Sequence, residues 1–257
     1  MPSRLFLVLA LTRFRGHRSS CESPNPTNTL TSRLNSLLNS SGQGYTLSLC
    51  AGEEYPLTAP LLFTAPNQEI STAGYPSDST RATLVVKGIN QTTAVDGTCA
   101  NCDGVKLRNV QVRDLLARCL ISIVVQINGT RLGAPIMAGG ANIEMGGSNV
   151  NQLIEYVHSY DPRGWSCLHV AQGNLSCANT IVQNNDVGPA GSSAFQQWAD
   201  GISVACRNSV IKNNMINNPT DGGVVLFGSP GSRVENNTIW VETVSSWHLV
   251  PSDIQGR

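Results

Sequence analysis

One segment of the chain comes round again. Cys177-Ala-Asn-Thr-Ile-Val-Gln-Asn-Asn185 aligns without a gap on Cys206-Arg-Asn-Ser-Val-Ile-Lys-Asn-Asn214, 29 residues later (206 − 177). A third copy, Gly231-Ser-Arg-Val-Glu-Asn-Asn237, follows after 23 more (236 − 213). In each copy an aliphatic residue (Val182, Ile211, Val234) precedes the Asn pair and another (Val187, Ile216, Ile239) follows it. A second ladder opens apolar strands with glycine: Gly164-Trp-Ser-Cys-Leu, Gly201-Ile-Ser-Val and Gly222-Gly-Val-Val-Leu-Phe. Repeats of roughly 20 to 30 residues made of short strands cannot bury their apolar side alone, but stacked in register they share one core. Asn tolerates the left-handed dihedrals that a bend between strands requires. A β-sandwich also spaces its strands regularly, but it lacks self-similarity over a whole coil and has no reason to repeat Asn-Asn at one corner. The repeat therefore predicts an all-β solenoid of stacked coils rather than a sandwich.

A solenoid needs covered ends. Leu30, Leu34, Leu37 and Leu38 share one helical face, with Asn28 or Thr29 placed to cap its start. They predict a short amphipathic helix plugging the N-terminal end. The stretch from Tyr45 to Trp240 has room for about seven to nine coils. Pro56, Pro60, Pro66 and Pro76 mark bends or edge positions, and Gly188 to Gln197 reads as an inserted loop. The expected division is 1–20 a leader, 21–44 a capping segment, 45–241 the solenoid, and 242–257 an irregular tail. That tail leaves the repeat pattern, as a truncated or mis-spliced end would.

Arg4 and the apolar run Leu5 to Leu11 have the shape of a secretory leader, although the Arg-rich stretch after them is wrong for a cleavage region. Eight cysteines and five Asn-x-Ser/Thr sequons, at Asn39, Asn90, Asn128, Asn174 and Asn236, point to a secreted glycoprotein. No apolar run is long enough for a membrane span. Seventeen basic residues cancel seventeen acidic ones with no block of like charge, so nucleic acid and anionic membranes have no electrostatic footprint here. A monomer is expected.

The Asn corners and Asp-Gly-Ile/Val strand openings resemble the repeats of the pectin-lyase-like superfamily of right-handed parallel β-helices. Glu144-Met-Gly-Gly, Asp161-Pro-Arg-Gly-Trp-Ser, Trp198-Ala-Asp-Gly-Ile-Ser and Thr220-Asp-Gly-Gly-Val-Val-Leu-Phe-Gly are similar to a group of secreted fungal members of that superfamily. The resemblance runs from about Cys21 to Val241. It implies a single-stranded right-handed parallel β-helix and a set of conspicuous residues, not a reaction.

Cys99-Ala-Asn-Cys102 lacks the second pair that a zinc site needs and reads as a disulfide partner, local or to Cys119. Cys21 and Cys50 can tie the capping helix to the first coil. Cys177 and Cys206 occupy equivalent places on adjacent coils, about 4.8 Å apart, within the reach of a disulfide. A ladder of buried thiols is the alternative, since Cys167 could claim either partner. The Asn ladder reads as structural, its amides bonding to one another along the axis. His158 and His169 each read as a bonded structural histidine, because no His pair has metal-ligand spacing.

The polar residues that stand out precede the strand-opening glycines. Aligning Gly164, Gly201 and Gly222 stacks Arg163, Asp200 and Asp221 as catalytic candidates, with Glu144, Asp161, Trp165 and Trp198 as substrate-binding neighbours. Carboxylates, an arginine and indoles in a shallow groove suit a polysaccharide or cell-wall glycan. The plainer alternative is that Asp caps the bend through backbone N–H groups and Arg163 neutralises Asp200. Two functions stay open: a polysaccharide lyase or glycoside hydrolase, and a non-catalytic glycan-binding module. The hydrolase lacks the Asn-Thr-Asp, Asp-Asp and Gly-His-Gly motifs of polygalacturonases. No cofactor is expected; calcium would suit a lyase, but no dense acidic cluster supports it.

Overall fold

The computed structural model describes residues 21–88, 90–114, 140–192 and 197–242. The leader, Cys119, the sequon at Asn128 and the tail beyond Glu242 lie outside them. The chain climbs in coils of three short strands. The first coil holds β1 (Thr46–Leu49), β2 (Glu54–Leu57) and β3 (Leu61–Leu62); the second holds β4 (Glu69–Thr72), β5 (Ala82–Val86) and β6 (Val95–Asp96). The third is β7 (Lys106–Arg108), β8 (Val110–Asp114) and β9 (Ala141–Gly147); the fourth is β10 (Leu153–Glu155), β11 (His158–Ser159) and β12 (Ser166–Gln172). The fifth is β13 (Ile181–Gln183), β14 (Asp186–Val187) and β15 (Asp200–Val204), and the sixth β16 (Val210–Lys212), β17 (Met215–Asn217) and β18 (Val224–Leu226). A seventh begins with β19 (Arg233–Glu235) and β20 (Thr238–Trp240).

The first strands of successive coils pair in parallel as one sheet, the second strands as another and the third strands as another. This is the parallel β-helix that the resemblance implies, built as the stacked coils that the repeat predicts. Its core is three aliphatic columns. One runs Leu47, Ile70, Leu107, Ile154, Val182 and Ile211, each in register with the next, and continues to Val234, which is half exposed. Another carries Val187, Ile216 and Ile239 in the expected register, Val187 and Ile216 buried and Ile239 half exposed.

The Asn pairs divide their labour. The first of each pair, Asn184, Asn213 and Asn236, takes the left-handed backbone (φ 56°, 55° and 54°) that turns the chain between sheets. The second forms the ladder: Asn185 Nδ2 donates to Asn214 Oδ1 (2.9 Å), and Asn214 Nδ2 donates to Asn237 Oδ1 (2.8 Å). Pro56 sits in β2, the edge strand of its sheet, where a missing N–H costs no ladder bond.

Helix α1 (Leu30–Ser41) buries Leu30, Leu34 and Leu38 over the first coil. Asn35 pins it, bonding the Pro60 carbonyl and the Leu62 N–H. The expected side-chain cap is absent. Thr29 stands at the N-cap, but a 3₁₀ turn over Thr27–Thr29 runs straight into the helix, and the Leu30 N–H bonds Thr27 O instead. Disulfides join Cys21–Cys50, Cys99–Cys102 and Cys177–Cys206, so the CxxC pair closes locally. Cys167 is free and buried, and burial pushes its thiol pKa well up. The sequon asparagines Asn39, Asn90, Asn174 and Asn236 are exposed. Among the described residues no helix is long and apolar enough to cross a membrane.

Candidate functional site

The outer face of the third sheet gathers the polar chemistry. In β9 and β12, Ile143, Met145, Leu168 and Val170 point into the core, which turns Glu144 and His169 outward. At the start of β12 the alternation slips once, because Cys167 and Leu168 are both buried. β15 does the same. A side chain on Gly201 would meet Ile216 of the core, and Ile202 is buried as well. Asp200 and Ser203 therefore share the outer side and bond to each other, the Ser203 hydroxyl donating to Asp200 Oδ2 at 2.7 Å.

Register then sets one row across the coils: Asp96, Glu144, His169, Ser203 and Val225. At its centre His169 Nδ1 lies 2.8 Å from Glu144 Oε2. The two side chains are 17% and 18% exposed, so solvent reaches both. The Trp165 ring sits 4.8 Å from the His169 ring and 6.4 Å, edge-on, from Phe227. Because His169 belongs to β12 and Phe227 follows β18, the indole reaches across β15. Phe227 is half exposed and extends the aromatic surface.

The charged ladder expected from the glycines does not form. Ser166, not Arg163, pairs with Asp200, and the Ile202–Val224 register puts Gly222, not Asp221, opposite it. Strand-opening glycines are not equivalent residues. Gly164 is held against Gly140, where a Cβ would fall 1.9 Å from the Gly140 carbonyl oxygen, whereas Gly201 follows its Asp into the strand. Arg163 is buried and donates to the carbonyls of Gly88 and Gln91 on an earlier coil. Asp200 accepts from the Gly222 N–H (2.8 Å), which holds the next corner. Burial pushes its carboxyl pKa up, and the charge of Asp221 adds to that; the bonds from Ser203 and Gly222 and the His169 side chain pull the other way. Asp221 is exposed at the rim. Trp198 is 44% exposed two residues before β15, and Asp161 sits at the corner before β12 with φ 49°.

Sequence reasoning read His169 as a structural histidine and did not join it to Glu144. The signal was there: Asn142-Ile143-Glu144-Met145 and Cys167-Leu168-His169-Val170 are one coil apart, 25 residues. The core pattern of that pair is weaker than the Asn corners. Among the described residues no three His, Cys, Asp or Glu side chains converge to hold a metal ion. A cleft of about 540 Å³ lies by the N-terminal end, lined by residues such as Asn25, Glu53, Glu54 and Lys87.

Fold and face together define a parallel β-helix protein with an acid–imidazole pair on one outer sheet. No protein-family profile and no curated protein matches its sequence. Among solved structures it is similar to the crystal structure of an alginate lyase from Paenibacillus sp. str. FPU-7. That likeness covers 85% of this chain and 74% of the lyase, with a TM-score of 0.51 and 15% identity. At that identity the shared property is the fold.

Proposed function

We propose that this is a secreted protein that binds and cleaves an extracellular polysaccharide laid across the outer face of its third sheet. The observation that carries the reading is the Glu144–His169 bond on a face that solvent reaches, beside an indole. With Nδ1–H donated to Glu144, the imidazole keeps its Nε2 lone pair free to take a proton, and Glu144 steadies the imidazolium that results. Trp165 and Phe227 offer a surface on which the apolar face of a sugar ring can stack. Asp221, Trp198 and Asp161, at the corners before three strands of that sheet, are the proposed contacts to neighbouring sugar units. Arg163 and Asp200 act through the fold, holding the corners that present the row. The alginate lyase shows that this fold can serve a polysaccharide-cleaving enzyme. Three disulfides support an oxidising, extracellular setting.

The test is His169→Gln and Glu144→Gln against a panel of polysaccharides, reading both new reducing ends and the ultraviolet absorbance of unsaturated products. Turnover should fall by about 10² to 10⁴ in the His169 variant, the usual contribution of a proton-transfer group, with the melting curve kept. Full turnover in that variant sinks the assignment. A non-catalytic glycan-binding module is the second reading, favoured by the burial of Arg163 and Asp200 inside the fold. Binding without turnover in the unaltered protein selects it.

A further inference from the structure

The structure assigns this face a ligand class: an uncharged glycan, in preference to a polyuronate. The inference rests on reading the face as a polysaccharide site. Its basis is the distribution of charge around the coils. Asp96 and Glu144 are register partners, so their backbones lie about 4.8 Å apart. Glu144 is bonded to His169, whose register partner Ser203 bonds Asp200. The face thus carries Asp96, Glu144 and, at its rim, Asp221, with Asp200 buried beneath it.

None of the described lysines and arginines lies in a strand of the third sheet. Lys106, Arg108, Lys212 and Arg233 belong to strands of the first sheet. Arg113 lies in β8 of the second sheet, with Arg81 and Lys87 flanking β5. Arg33 is on α1, bonded to Glu22. Arg207 is in the turn between β15 and β16. Arg163, at the corner before β12, is buried, and its guanidinium donates to the carbonyls of Gly88 and Gln91.

A polyuronate carries a carboxylate on every sugar, and proteins meet such groups with arginine or lysine, whose N–H groups donate to both oxygens. Here each approaching carboxylate would meet others, within the roughly 8 Å over which charges interact at physiological salt. An uncharged sugar suits the same groups. Ionised Asp and Glu are acceptors only, and they match the hydroxyl donors of a neutral ring. Trp165 and Phe227 need only its apolar face. An uncharged ligand also leaves binding insensitive to salt.

The experiment measures binding of the full chain to uncharged polymers (xyloglucan, galactomannan, a β-glucan) and to alginate and polygalacturonate. It is run at low and at physiological salt, with chelator and again with added calcium. The expected result is that at least one uncharged polymer binds, its affinity changes less than twofold with salt, and both polyuronates bind at least tenfold more weakly. Trp165→Ala should weaken the neutral polymer tenfold or more. Asp221→Arg should raise the affinity for a polyuronate. Tighter binding of a polyuronate, with or without calcium, overturns the inference and leaves the polysaccharide reading standing. Neutral binding that Trp165→Ala leaves intact lies elsewhere on the chain and overturns the inference too. A folded protein that binds neither kind of polymer removes the polysaccharide reading itself.

Discussion

Asn213 and Asn214 are adjacent, alike in chemistry, and predicted to differ severalfold in what their loss costs. The Asn214 side chain is buried and holds four hydrogen bonds. Its Nδ2 donates to the Val182 carbonyl (3.0 Å) and to Asn237 Oδ1 (2.8 Å). Its Oδ1 accepts from the backbone N–H (3.0 Å) and the Nδ2 (2.9 Å) of Asn185. Asn214→Ala strands all four partners inside the coil, where water cannot replace the lost amide. At about 1 kcal/mol for each bond, the loss is about 4 kcal/mol, close to a thousandfold in the folding equilibrium. Asn213 is exposed, and its contribution is the left-handed backbone, φ 55°. Asn213→Ala should cost at most about 1 to 2 kcal/mol, because alanine keeps the Cβ but loses the short polar side chain that lets Asn tolerate that region, and Asn213→Gly much less. Urea unfolding followed by far-ultraviolet circular dichroism reads the difference as midpoint shifts at constant slope. If Asn213→Ala is as damaging as Asn214→Ala, or if Asn214→Ala costs less than about 1.5 kcal/mol, the division between corner and ladder is wrong.

Asp200 gives a pH prediction. Its folded pKa is raised, chiefly by burial, so the folded chain holds that proton more tightly than the unfolded chain does. The cost is absent below the ordinary carboxylate pKa and enters as pH rises through the raised folded value. Asp200→Asn should flatten that part of the stability curve, read as melting temperature against pH; an unchanged slope would count against the assignment. Replacing both Cys177 and Cys206 by Ser opens a loop of 29 residues and should cost about 3 to 4 kcal/mol in reversible unfolding. A change below about 1 kcal/mol would mean that the stacked register alone already holds the two coils together.

The Asn-Asn corners were legible because two separate demands, a left-handed residue and a buried amide, fall on adjacent positions of every repeat that has them. The Cys177–Cys206 bridge was legible for the same reason, since equal places on neighbouring coils are neighbours in space. The glycine alignment misled because glycine serves different needs at different corners. At Gly164 it lets two backbones touch, and at Gly201 it fits inside the coil against both the Gly223 carbonyl and Ile216. Nothing in the spelling of those segments separates the two uses. Arg163, Asp200 and Asp221 consequently aligned as text and not as a ladder.

The repeat by itself determined that this chain winds as a solenoid of stacked coils, because a fixed period of short apolar strands can be buried only by stacking. It also determined which aliphatic residues form the inner columns, through the alternation around each Asn pair. Tertiary structure alone decided the outer face. Corner lengths vary from coil to coil, and a slip of one residue at Cys167–Leu168 and at Gly201–Ile202 turned Asp200 outward into its bond with Ser203. Likewise His169 and Glu144 meet only because β9 and β12 pair in one register. Inward positions answer to a demand that every coil shares, which leaves a periodic trace. Outward ones answer to neighbours brought together once, by the register of a single pair of strands.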